Sequence, residues 1–110
     1  MSALELLPAR IAEKSISREE IVLPMAEALE AIDLLEAKGL LILGWEGCVK
    51  TADGGVGHGS APQGTMSLES LSVEAAAQYC RETIQQDAAR WLAENPETTH
   101  ALHFCITVCE

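Results

Sequence analysis

GLLILGWEGCVK, residues 39–50, opens with the unbroken apolar run Leu40-Leu41-Ile42-Leu43, turns small and aromatic at Gly44-Trp45, and closes on Glu46, Gly47 and β-prone residues. A short apolar run bounded by turn signals reads as a strand buried on both faces. Residues 40–50 are therefore expected to form the central strand of a small sheet, with the rest of the chain arranged to cover it.

A helix is predicted on the N-terminal side of this strand, from Pro24 to Lys38. Proline suits a first helical position, where its missing N–H costs nothing. Met25, Ala28, Leu29, Ile32 and Leu35 recur at helical spacing as one apolar stripe, and Glu27, Glu30, Asp33 and Glu36 fall mainly outside it. Lys38-Gly39 is a stop signal, with a cation in the last turn and a glycine able to take positive φ. Residues 1–23 are less legible. Ser17-Arg18-Glu19-Glu20 matches a capping box and suggests a helical turn, whereas Ile21-Val22-Leu23 reads equally as a short extended piece.

On the C-terminal side, Asp53-Gly54 signals a type I′ hairpin turn, with Val56-Gly57-His58 as a short returning strand. Residues 59–67, GSAPQGTMS, read as loop. A second helix is predicted over Val73–Glu94, N-capped by Ser72, with Val73, Ala76, Ala77, Cys80, Ile84, Ala88, Trp91 and Leu92 on its apolar stripe. Asn95-Pro96 ends it. In the last strand, His100–Cys109, Leu102, Phe104, Ile106 and Val108 alternate with His103, Cys105, Thr107 and Cys109. The expected fold is one α+β domain in the order α-β-β-α-β. Its mostly antiparallel sheet has three strands, or four if the N-terminal segment contributes. The 40–50 strand should lie between the other two and antiparallel to both, with both helices packed on one face.

Composition sets limits on function. The 110 residues carry 17 acids against 7 bases, a formal charge of −10. Phosphates would be repelled, which argues against sequence-independent nucleic-acid binding and favours a basic protein partner. No stretch is long and apolar enough to span a bilayer, and no secretory leader is evident, so a cytoplasmic protein with reduced thiols is expected.

Four constellations bear on chemistry. His100-x-x-His103-x-Cys105-x-x-x-Cys109 resembles a metal cluster, yet on a strand His100 points away from the others, and the CxxC knuckles of structural zinc sites are missing. Cys48 and His58 flank the hairpin as a conceivable nucleophile and base, but no orienting third group accompanies them. The glycines at 54, 55, 57 and 59 lack the Gly-Lys-Ser/Thr of a phosphate loop. Trp45 either caps the core or anchors an interface, and Glu46 next to it points to the other face. No catalytic residue, metal or cofactor is expected.

The run ALEAIDLLEAKGLLILGWEG (28–47), Asp53-Gly54, Gly57-His58, CRETI (80–84) and Trp91 together resemble an immunity-protein family encoded beside bacterial polymorphic toxins. The resemblance implies a small α/β binder without enzymatic activity that neutralises a cognate toxin by one-to-one docking. With an acidic binder, a basic toxin such as a nuclease domain fits, and Trp45, Glu46, Asp53, His58 and Gln63 form the candidate surface. Monomer and homodimer both stay open. A Cys/His-dependent enzyme or metal module, or an oligomerising adaptor, is the alternative class.

Overall fold

The computed structural model describes residues 3–57 and 60–109. A 3₁₀ turn at Ala3–Leu6 and a single helical turn α1 (Ala9–Ala12) lead into β1 (Ile21–Pro24). Then come α2 (Met25–Ala37), β2 (Ile42–Lys50), β3 (Val56–Gly57), α3 (Val73–Glu94) and β4 (Ala101–Val108). The architecture is α+β, with an antiparallel sheet of order β1-β4-β2-β3.

Among the described residues the sheet has four strands, the larger of the two expected counts. The 42–50 strand does lie between the 56–57 and 101–108 strands, antiparallel to both, and β1 adds a fourth strand outside β4. The ambiguity at residues 17–23 has a physical resolution. Ser17 Oγ accepts the Glu20 N–H at 3.0 Å, as a capping box would have it. No helix follows, because Ile21 and Leu23 are drawn into the core opposite Ile106 and Phe104. Tertiary burial overrides the local capping signal.

Helix α2 ends as its sequence demands. Gly39 takes φ +75°, Leu40 N–H bonds to Leu35 carbonyl at 3.0 Å and Gly39 N–H to Glu36 carbonyl at 2.9 Å, a Schellman closure. Leu40 is thereby committed to the helix end, so the strand begins at Ile42 rather than Leu40. Met25, placed on the buried stripe by periodicity, is exposed at the first helical position. In α3, Ser72 Oγ accepts the Ala75 N–H at 3.1 Å and the helix runs over the expected residues. Leu92, however, is 55% exposed while its neighbour Trp91 is buried. Both helices contribute to one core with β1, β2 and β4. Arg81 on α3 bridges Asp33 and Glu36 on α2 at 3.0 and 2.7 Å.

The expected burial of β2 on both faces holds only in part: Ile42 and Trp45 enter the helix-covered core, whereas on the other face Cys48 is buried and Glu46 is exposed. Its pattern is also not a simple alternation. Ile42 and Trp45 both enter the core although they are three residues apart. A register shift between Ile42↔Val108 and Gly44↔Thr107 makes this possible, with Leu43 as the extra residue. A bulge of this kind flips the face on which all later side chains lie.

Residues 60–68, read from the sequence as plain loop, strap the edge of β2 that β3 leaves uncovered. Trp45 and Thr65 exchange backbone bonds at 2.7 and 3.0 Å, Gly47 N–H donates to Pro62 carbonyl at 3.0 Å, and Leu68 N–H donates to Leu43 carbonyl at 3.0 Å. The glycines of Gly44-Trp45-Glu46-Gly47 allow this approach. A Cβ on Gly44 would collide with Thr65 carbonyl oxygen and Met66 Cα, and one on Gly47 would lie 2.5 Å from Pro62 carbonyl oxygen. On the strap side, a Cβ on Gly64 would strike the Trp45 carbonyl. Nor is the hairpin type I′. Positive φ occurs at Gly54 but not at Asp53, and a five-residue connection closes through Thr51 N–H to Gly55 carbonyl at 2.8 Å.

Candidate protein-binding surface

The sheet face turned away from the helices is a groove of about 520 Å³. Strand alternation builds its floor. Glu46 and Cys48 come from β2, Cys105 and Thr107 from β4, and Val22 from β1, while Val56 of β3 forms one rim. Val22, Cys105 and Glu46 lie in one row across three strands. The opposite rim is the segment before β1, which supplies Ile16, Ser17 and Glu20. Hydrogen bonds fix that rim. Ser15 Oγ accepts the Val22 N–H at 3.0 Å and donates to the Glu20 carbonyl at 2.8 Å, and Ile16 N–H donates to the Val22 carbonyl at 3.1 Å. These bonds also satisfy the outer edge of β1, which would otherwise be open for pairing.

The groove holds two thiols and two carboxylates, and among the described residues no lysine or arginine lines it. Burial raises the Cys48 thiol above its ordinary range. The Cys105 thiol is pushed up to about 11, first by burial and then by the negative charge of Glu20, Cys48 and Glu46. Its Sγ lies 4.0 Å from Glu20 Oε2. Both sulfurs are therefore protonated at neutral pH, and a nucleophile or thiolate ligand is disfavoured at this site. Cys48 stands opposite His103 across the β2–β4 ladder, and the His103 ring Nδ1 contacts the Ala101 carbonyl at 3.1 Å. An Nδ1–H tautomer satisfies that contact. Among the described residues no three His, Cys, Asp or Glu side chains are grouped to hold a metal ion. In the His100–Cys109 pattern, His103 and Cys105 lie within β4, and Cys109 lies exposed beyond its end. All four cysteines are free.

The four expected contact residues that the structure describes do not form one surface. Trp45 is fully buried, so as a contact residue it is corrected. Its ring packs edge-on against Phe104 with centroids 5.3 Å apart, and its Nε1 donates to Thr83 Oγ1 at 2.9 Å. A satisfied indole at the middle of the core offers nothing to a partner. Glu46 is exposed in the groove and, among the described residues, makes no ion pair. Asp53 is exposed in the hairpin turn. Hydrogen bonds from the Thr51 hydroxyl and the Gly55 N–H hold its carboxyl below the usual range. Gln63 lies on the strap, in a separate depression of about 370 Å³ that also takes in Arg90, Trp91 and Glu94 of α3. The candidate His58 lies outside the described residues.

Sequence reading missed Glu20, Val22 and Ile16, whose role depends on the N-terminal segment folding back over the sheet. The His103, Cys105, Thr107 alternation was the available signal, since it marked a strand face left without large apolar residues. Among the described residues no helix is long and apolar enough to cross a membrane. Comparisons with family models, with curated proteins and with solved structures gave no match.

Proposed function

We propose that this chain is an immunity protein that binds a cognate bacterial toxin domain and occludes its basic active site, with no catalytic step of its own. A nuclease domain is the preferred target, because its substrate is itself an anion. The observation that carries the reading is Glu46, a carboxylate on a helix-free sheet face that, among the described residues, has no ion-pair partner and no basic side chain in its groove. The charge balance supports it. Of seven basic side chains, Arg10, Arg81 and Arg90 are already tied to acids of the same chain, within a formal charge of −10. The resemblance through residues 44–47 points the same way. Such a surface accelerates encounter with a basic protein and repels nucleic acid.

The test is calorimetric titration of the toxin domain encoded beside this chain against the wild-type protein, Glu46→Lys and Asp53→Lys. Charge reversal at Glu46 should weaken binding by about tenfold at low salt, and added salt should shrink that difference. Equal affinities for all three proteins across the salt series would rule the reading out.

A further inference from the structure

We infer that the groove on the helix-free sheet face receives one arginine side chain, carried on an apolar stretch of the partner protein. The inference deepens the functional reading above and rests on it for the partner's identity. Three observations on the groove converge. It is concave, with a volume of about 520 Å³, within the range of side-chain and small-ligand clefts. Its rims carry aliphatic Ile16 and Val56, its floor adds Val22, and Val56 is itself strongly exposed. Its two charged groups, Glu20 and Glu46, come from opposite sides of Cys105. Glu46 pairs with Cys105 across the β2–β4 ladder, and Glu20 Oε2 is 4.0 Å from its Sγ.

A cation entering this groove meets two carboxylates and, among the described residues, no competing lysine or arginine. Its stem would lie on the aliphatic side chains, and its head would sit over a protonated thiol between the two acids. Arginine fits this pattern better than lysine. Its planar guanidinium presents donors along two edges, is weakly hydrated, and can bridge two carboxylates at once. The N-terminal rim is preorganised by the Ser15 and Ser17 hydrogen bonds, so little ordering cost attends binding.

The test uses the whole protein and a capped tripeptide, acetyl-Leu-Arg-Leu-amide, followed by amide chemical shifts. The control peptide replaces arginine by citrulline, which keeps the shape and loses the charge. Shifts should concentrate at Glu20, Val22, Glu46, Cys48, Cys105 and Thr107. The citrulline peptide should bind about tenfold or more weakly. Glu20→Gln and Glu46→Gln should each weaken the arginine peptide, and the double variant should abolish it, with the rest of the spectrum unchanged as proof of folding. Equal binding of both peptides, shifts scattered over other acidic surfaces, no shift at the solubility limit, or undiminished binding to the double variant would each overturn the inference. Arginine-peptide binding in the groove without any affinity for the neighbouring toxin would uphold the groove and remove the immunity reading. Toxin affinity that is insensitive to the double variant, with the peptide failing to bind, would do the reverse.

Discussion

Replacing Gly47 by alanine tests why this chain needs glycine on both sides of Trp45-Glu46. The new Cβ would sit 2.5 Å from Pro62 carbonyl oxygen, 3.0 Å from Pro62 Cδ and 3.1 Å from Pro62 N, all parts of a stiff imide unit rather than a flexible side-chain end. β2 cannot yield, because Gly47 is held opposite Phe104 in the middle of the sheet and its neighbour Trp45 is locked in the core. The strap must therefore retreat, and the Gly47 N–H to Pro62 carbonyl bond of 3.0 Å is lost or lengthened. Overpacking of this kind costs about 1–3 kcal/mol and the hydrogen bond about 0.5–1.5 kcal/mol. The expected loss is roughly 2–4 kcal/mol, a large share of the ~5–15 kcal/mol that holds a domain of this size together. Urea unfolding followed by tryptophan fluorescence would measure it. Gly57→Ala is the matched control, since nothing lies within 4 Å of its Cβ position, and it should stay within about 0.5 kcal/mol of wild type. A Gly47→Ala loss no larger than the control's would refute the strap as the reason for the glycine.

Further outcomes follow from the same structure. Thr83→Val removes the acceptor of the Trp45 indole N–H and should cost about 1–3 kcal/mol by leaving a buried donor unpaired; equal stability in urea would show that the bond is dispensable. Ser72→Ala should lower stability by about 1 kcal/mol through loss of the α3 N-cap, read as a shift of the thermal midpoint. In thiol labelling of the native protein, Cys109 should react first and Cys80 last, with all four reacting alike in denaturant; rapid native labelling of Cys80 would contradict its burial. Stability should also fall in alkali. Burial holds the Cys80 thiol at about 11 in the native state, against an ordinary value of 9.0, so between these pH values the native state keeps a proton that the unfolded chain releases. That contribution is complete below pH 9 and lost as pH rises through 11, and Cys80→Ala should flatten the slope of unfolding free energy against pH across this window.

How legible each part was follows from where its cause lies. The end of α2 at Gly39 and the start of α3 at Ser72 are set within a few residues, by a positive φ and by a side-chain cap, and both stand at the expected positions. The adjacency of the 42–50 strand with its two neighbours could be inferred from hydrophobic pattern and chain order. The bulge at Leu43 could not, since it depends on how Ile42 and Trp45 fit the helices. The contact surface was least legible. Trp45, Glu46, Asp53 and Gln63 are close in sequence, yet one is in the core, one in the groove, one in the turn and one on the strap.

What the amino-acid sequence determined by itself is local and compositional: two amphipathic helices with their boundaries, apolar strands around them, and a surplus of negative charge. These depend on periodicity, caps and counting, which need no knowledge of distant partners. What only the tertiary structure decided is long-range. The 13–20 segment folds against β1 and walls the groove, residues 60–68 close the edge of β2 through the space its glycines leave, and Glu20 meets Cys105 from 85 positions away. Such contacts arise when separate segments compete to bury surface and satisfy backbone groups, and that competition is resolved only in three dimensions.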